Sequence, residues 1–255
     1  IRPDGKSLLF TRSVIDYSVP SFSKTELYSL NLESLAAEKI WTGFWFRRAW
    51  WNPLGTRLLV LGGPSTFGAI GVNVPAGMIP NEYDSQAFLF DPVSKKVEAI
   101  SRDFNPSIEG AAWSQTRDCI YFVTTDKSFR RLYRYDLDKK AFTLIETGVE
   151  VLGGFDLAEK APLAVYTGTG ANVPPKAYAI DLETGVHCLL LDPGKEDFSR
   201  VKFGDVKNWT FTNKRGVEID GHVYYPPDFD PGRKYPSIVY YLSLIHISEP
   251  TRQAE

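Results

Sequence analysis

The sequence predicts an all-β fold made of short antiparallel sheets stacked face to face. Two observations lead there. One turn-and-strand pattern recurs four times along the chain. The aromatic share is 14%, with Trp 6, Tyr 13 and Phe 16, and such residues favour pleated, half-buried surfaces.

Each repeat opens with a turn that runs into a short apolar strand. The copies are Pro3-Asp4-Gly5-Lys6-Ser7-Leu8-Leu9-Phe10, Asn52-Pro53-Leu54-Gly55-Thr56-Arg57-Leu58-Leu59-Val60 and Trp113 to Phe122, with a degenerate fourth from Phe155 to Val165. The second half reads Leu27-Tyr28-Ser29-Leu30-Asn31-Leu32, and it returns as Ala87 to Pro92, Leu132 to Leu137 and Ala177 to Leu182. A polar turn and a last apolar strand follow, ending near Trp41, Ile100, Ile145 and Leu191. A meander with apolar residues on both faces cannot bury both by itself, so it must stack between neighbours. The step from Leu132 to Ala177 is 45 residues, near the ~40–50 residues of a propeller blade. Residues 1–192 are therefore expected to form a partial β-propeller of about four blades. The longer step from Leu27 to Ala87 assigns the Gly/Pro-rich stretch Gly62 to Ser85 to a hairpin loop in the second blade. The first repeat begins at its turn and lacks the counterpart of Phe44 to Trp50, which predicts an unstacked face carrying Leu8, Leu9 and Phe10.

After Leu191 the repeat stops, and residues 193–207 read as a polar linker. Asn208-Trp209-Thr210-Phe211-Thr212-Asn213 alternates apolar and polar, Lys214-Arg215-Gly216 is a turn, and Glu218 to Tyr225 alternates again, which predicts a hairpin. Pro226 to Lys234 cannot be a strand interior, and Ser237-Ile238-Val239-Tyr240-Tyr241 reads as a short strand for a sheet covered on both faces.

Three stretches here carry a family resemblance. They are Val206-Lys207-Asn208-Trp209-Thr210-Phe211 through Gly216-Val217-Glu218-Ile219-Asp220-Gly221, then Tyr225-Pro226-Pro227-Asp228-Phe229-Asp230, then Lys234-Tyr235-Pro236-Ser237-Ile238-Val239-Tyr240-Tyr241. Together they closely resemble the propeller-to-hydrolase junction of serine peptidases of the prolyl oligopeptidase family, in its bacterial dipeptidyl-peptidase and acylaminoacyl-peptidase branch. The resemblance implies that residues 208–241 open an α/β-hydrolase domain. It implies a whole protein that cleaves short peptides with a Ser-His-Asp triad, the propeller admitting peptides and excluding folded proteins. It also implies a periplasmic or secreted setting rather than a cytoplasmic one. In the family the strand at Tyr241 continues into a tyrosine that donates to the oxyanion, and this chain has Leu242 there. No Gly-x-Ser-x-Gly turn occurs in the sequence. Leu242 to Arg252 departs from the family pattern and matches the translation of a transposase adapter used in shotgun DNA libraries. Residues 242–255 are therefore set aside as a non-native tail, and His246 with them.

No catalytic, cofactor-binding or metal residue is assigned, and no cofactor is expected. Ser65, in Gly62-Gly63-Pro64-Ser65-Thr66-Phe67-Gly68, lacks the closing glycine of a nucleophile elbow. His187 and His222 have no evident acid and serine beside them and read as structural. Glu109, near an innermost strand, is a candidate to face a channel, and Glu82 and Asp84 lie in the long loop. Arg47-Arg48 and Arg130-Arg131 are candidates to steer a peptide carboxylate. Cys119 and Cys188 sit in different strands and read as small buried apolar residues, without CxxC spacing. The formal net charge of −2 gives no reason to expect nucleic acid as a partner. No apolar run is long enough to span a bilayer as a helix. A non-catalytic propeller that binds a protein partner is the rival reading, and the stretch from Val206 to Tyr241 speaks against it.

Overall fold

The structure, a computed structural model, describes residues 1–18 and 22–240. It is all-β, with no α-helix among the described residues. Four antiparallel meanders follow one another along the chain. The first is β1 (Ser7–Ile15), β2 (Ser23–Asn31) and β3 (Ala37–Gly43), and the second is β4 (Phe46–Trp51), β5 (Leu58–Gly62), β6 (Gln86–Phe90) and β7 (Val97–Ala99). The third is β8 (Ser107–Trp113), β9 (Cys119–Asp126), β10 (Phe129–Asp136) and β11 (Ala141–Ile145). The fourth is β12 (Val151–Leu157), β13 (Leu163–Gly170), β14 (Val173–Asp181) and β15 (His187–Leu191). A single parallel bridge, Arg130 to Val151, joins the third and fourth into one sheet. A separate hairpin, β16 (Val206–Thr212) and β17 (Glu218–Tyr224), lies beyond them.

Side-chain alternation explains why the meanders stack. In β5, Leu58 and Val60 enter a core shared with Leu27 and Ile40 of the first meander. Leu59 and Leu61 point the other way, into a core with Ile120 and Phe122 of the third. In β9, Cys119, Tyr121 and Val123 then face Leu152, Ala164 and Tyr166 of the fourth. Successive side chains of a strand point to opposite faces, so a sheet covered on both sides reads as a continuous apolar run. β13, at the end of the stack, alternates instead: Ala164 and Tyr166 are buried while Leu163 and Val165 are exposed. Each fully buried side chain such as Phe122 contributes about 2–3 kcal/mol.

The sequence expectations need three corrections. Leu9 is not on an unstacked face; it packs against the core between the first two meanders. Leu8 and Phe10 take the opposite side of β1, where Phe10 stacks on Tyr28 at 5.1 Å. Cys188 is exposed, unlike Cys119, because it shares the outward face of the fourth meander with Val165. Ser237 to Tyr240 form no strand, and Ile238, Val239 and Tyr240 are exposed: among the described residues no neighbouring strand lies beside them to take their hydrogen bonds. Tyr241, Leu242 to Arg252 and His246 lie outside the described residues.

Antiparallel meanders put their connections at two rims, and the rims differ. At one, a turn follows the second-half motif of every repeat. Asn31, Asp91, Asp136 and Asp181 each accept backbone N–H bonds through a side-chain oxygen, for example from Val93 (2.8 Å) and Thr184 (2.9 Å). These are Asx-type turns. Four residues later each turn carries a left-handed residue: Leu35 (φ 58°), Lys95 (φ 61°), Lys140 (φ 50°) and Gly185 (φ 74°). The recurring aspartate in the sequence motif is thus a turn former. The other rim, described next, holds the long loops.

Candidate functional site

The second rim, here the loop rim, is a continuous line of polar contacts between segments far apart in sequence. The 62–85 loop folds back onto the first two meanders. Phe67 packs on Trp41, Phe88 and Phe90 with centroids 5.2–5.5 Å apart. Thr66 Oγ1 donates to the Trp45 carbonyl at 3.2 Å, and Arg47 Nη2 donates to the Tyr83 carbonyl at 2.9 Å. Glu82 accepts from the Ser65 amide at 3.1 Å. The Ser85 amide donates to Ser107 Oγ at 3.0 Å, and the Ile108 amide donates to the Ser85 carbonyl at 2.9 Å, which hands the contact line to β8.

On the third meander, Glu109 of β8 pairs with Arg130 Nη2 of β10 at 2.8 Å and accepts a hydrogen bond from Thr125 Oγ1. The Arg130 amide donates to the Glu150 carbonyl at 3.1 Å, and the Glu150 carboxylate accepts from the Ala171 amide at 2.8 Å. Asn172 Nδ2 then donates to the Gly204 carbonyl at 3.1 Å, fastening the strap that leads to β16. At the tip of the β9–β10 hairpin, Lys127 Nζ donates to Glu218 at 3.2 Å and to Asp220 at 3.3 Å, both on β17. Those carboxylates hold the lysine pKa above its ordinary value. Phe129 meets His222 edge-on at 6.4 Å, and Arg131 lies over Phe129 at 4.6 Å while pairing with Asp126 at 3.4 Å.

Glu82, Asp84, Glu109, Arg47, Arg130 and Arg131 therefore lie on one rim, spread along it rather than gathered in one cup. Burial pushes the Asp84 carboxyl above the usual carboxylate range, opposed by a hydrogen bond with Ser107 and by the charge of Arg47. Ser65 sits in the packed loop with its amide bonded to Glu82, an anchoring role. His187 is exposed and its ring lies over Gly148. His222 is half-buried against Phe129. Among the described residues no histidine is placed to deprotonate Ser65. Lys127 and Glu150 were missed in sequence, because nothing local marks a turn lysine or a strand-edge glutamate as a link between distant segments. Among the described residues no group of three or more His, Cys, Asp or Glu could hold a metal ion, and no helix is long and apolar enough to cross a membrane.

Comparison with known proteins finds a curated sequence relative and several similar folds. Dipeptidyl-peptidase 5 of Porphyromonas endodontalis is 31% identical over 124 residues, covering 48% of this chain and 17% of that protein. The chain is similar to peptidases of the prolyl oligopeptidase family. Puromycin hydrolase, in complex with PGG, superimposes with a TM-score of 0.63 at 17% identity over 92% of this chain and 35% of that one. TolB from Acinetobacter baumannii gives a TM-score of 0.53 at 14% identity over 74% of this chain and 41% of that one. Both structural likenesses bear on the fold alone. No protein-family model matches the chain. The chain thus spans 17% of the length of the curated relative and less than half the length of either solved structure. Its four meanders end at Leu191 of 255 residues, so a match over 92% of the chain runs on into the segment that follows.

Proposed function

We propose that this chain is part of a serine exo- or oligopeptidase acting on short peptides. Residues 1–192 are blades of its β-propeller, 193–207 a linker, and 208–241 the first strands of its α/β-hydrolase domain. The loop rim faces the catalytic domain, and peptides reach the active site past it. The observation that carries the reading is the β16–β17 hairpin seated on the loop rim rather than on the turn rim. A hydrolase domain that begins there covers the charged line from Arg47 to Glu150. The identity to a dipeptidyl-peptidase supports the same reading. Along that line an acid and a guanidinium stand together at Glu109 and Arg130, a pairing suited to the charged ends of short peptides. This reading assigns the triad and its oxyanion donors to the longer protein, because these 255 residues carry no Gly-x-Ser-x-Gly turn.

The test is to express the native coding sequence that contains this segment and to assay it on chromogenic dipeptide and acyl-amino-acid substrates. Turnover blocked by a fluorophosphonate, together with an inert 255-residue chain, is the expected result. A full-length protein that does not react with the fluorophosphonate and does not turn over these substrates sinks the peptidase reading in favour of a binding propeller.

A further inference from the structure

We infer that the turn rim carries a binding site for a small zwitterion, a free amino acid or short peptide, between the first two meanders. This goes beyond the peptidase reading and does not rest on it, since the site lies at the rim opposite the charged line from Arg47 to Glu150.

Two junctions between successive meanders are built from equivalent residues. Lys95 and Lys140 each stand four residues after the aspartate of their turn, in the left-handed position. Glu38 on β3 and Glu98 on β7 each stand seven residues after the Asx acceptor of theirs. At the junction of the second and third meanders the two charges meet, and Lys140 pairs with Glu98. At the junction of the first and second the equivalent pair does not form. Lys95 Nζ donates to the Ile40 carbonyl at 3.1 Å. The Glu38 carboxylate has no hydrogen bond or ion pair among the described residues. Lys95 and Glu38 instead line one cavity of about 580 Å³.

The cavity adds a second cation and a second carboxylate. Arg2 lies over Trp51 at 5.1 Å, and its Nε donates to the Gly55 carbonyl at 3.0 Å and stands 3.6 Å from the Asp4 carboxylate. Its two Nη groups make no hydrogen bond among the described residues, which leaves a planar fork for a carboxylate. Asp91 also lines the cavity, but its oxygens already accept from the Val93 and Ser94 amides and from Ser94 Oγ. Glu38 is therefore the acid left to receive a donor. Ile40 and Trp51 supply apolar wall. A cavity of roughly 300–1,000 Å³ with apolar wall and a few polar groups is the usual form of a small-molecule site. The charges select the ligand. An anion on Arg2 and Lys95 would also face two carboxylates, and a cation on Glu38 would face two cations. A molecule carrying both charges meets a partner at each end. An amino acid or short peptide does so, with its carboxylate on Arg2 and Lys95, its ammonium on Glu38 and an apolar side chain against Ile40.

The test titrates the full chain with the dipeptide Ala-Leu by calorimetry. Saturable binding is expected, weakened about tenfold or more for N-acetyl-Ala-Leu and for Ala-Leu amide, each of which lacks one charge. Glu38→Gln and Lys95→Gln should each weaken Ala-Leu by about tenfold. Glu38→Gln should not weaken the acetylated peptide further, because the partner of Glu38 is already gone. Lys140→Gln at the closed junction and Glu109→Gln on the loop rim should leave the affinity unchanged. No saturation at millimolar peptide overturns the site, as does equal binding of the free and acetylated peptides. Loss of binding with Glu109→Gln but not with Glu38→Gln puts the peptide on the loop rim, which overturns this site and supports the peptidase reading. Should a variant fail to fold, reductive methylation of the unsubstituted chain decides: Ala-Leu should slow modification of Lys95 and not of Lys140, and no slowing at Lys95 overturns the site.

Discussion

The turn rim and the loop rim are made by the same four meanders and follow different rules. The turn rim is modular. Each repeat carries an Asx acceptor and, four residues on, a residue in the left-handed conformation. Adjacent meanders are then stitched by long cations: Lys95 to the Ile40 carbonyl (3.1 Å), Lys140 to Glu98, and Arg117 to Glu183. The loop rim has no repeat. Its ties run Trp45 to Thr66, Arg47 to Tyr83, Glu109 to Arg130, Glu150 to Ala171 and Lys127 to β17, each between different residue types at different spacings. A repeat fold keeps one rim uniform because its turns must only reverse the chain. The other rim is free to vary, and variation is where recognition is built.

If the loop rim is packed rather than loose, a single methyl there should be felt. A Cβ at Gly71, in the 3-10 turn Gly68–Gly71 of the long loop, would meet the Pro64 carbonyl oxygen at 2.6 Å, Gln86 Oε1 at 2.7 Å and Phe88 Cζ at 2.8 Å. One of those neighbours is backbone and one is a fully buried ring, so neither moves freely. Gly71→Ala should destabilise the chain by about 1–3 kcal/mol, measured by urea unfolding. A change within experimental error would mean that the 62–85 loop is not anchored as described, and the contrast between the rims would be one of length alone.

Modularity makes the opposite prediction for the turn rim: residues should be exchangeable between repeats. The fourth turn places Gly185 where the first places Leu35, at φ 74° and φ 58°. Leu35 is exposed and outside the core clusters, so its side chain is lost at little cost. A left-handed conformation costs an L-residue about 1–2 kcal/mol, and glycine's extra freedom in the unfolded chain returns about 0.5–1 kcal/mol of that. Leu35→Gly should therefore stabilise the chain by up to about 1 kcal/mol, seen as a rise in the urea midpoint at unchanged slope. A fall would show that the four turns are alike in sequence but not in energetics.

The same contrast explains what could be read from the sequence. The meanders, the β5–β6 loop and the β16–β17 hairpin were legible because periodic apolar residues and turn formers are local signals. The aspartates of the repeated motif announce the turn rim for the same reason. Glu109 was legible as a candidate through its place beside an innermost strand, but its pairing with Arg130 was not, since it depends on the register of β8 and β10 against β9. Lys127 looked like any turn lysine. Ser237 to Tyr240 failed as a strand although they have strand composition, because a strand is a pairing and no neighbour among the described residues supplies one. Cys188 failed because alternation fixes which residues share a face, not whether that face is covered.

The smallest expected effect tests the electrostatics of the loop rim at Asp84. Its carboxyl is half-buried, and burial raises its pKa above the ordinary aspartate value, outweighing the Ser107 hydrogen bond and the Arg47 charge. A carboxyl whose pKa is raised on folding binds its proton more tightly in the folded state. Stability then falls as pH rises from the unfolded pKa through the raised folded one, and the loss persists at neutral pH. Asp84→Asn removes the charge that burial disfavours and keeps a polar group beside Ser107. It should raise the thermal midpoint slightly at neutral pH, and the gain should fade as pH is lowered through the raised pKa towards the unfolded value. Asp91 and Asp181 on the turn rim behave in the reverse sense. Hydrogen bonds from their own turns lower their pKa values, so their contribution is present above the unfolded pKa and is lost as pH falls through the lowered one. Thermal unfolding of the three Asp→Asn variants across that acid range separates the rims: a gain at Asp84 and losses at Asp91 and Asp181 at neutral pH. A loss at Asp84 equal to those on the turn rim would mean that the Arg47 charge outweighs burial, and that the carboxylate is held there as a charged member of the line from Arg47 to Glu150.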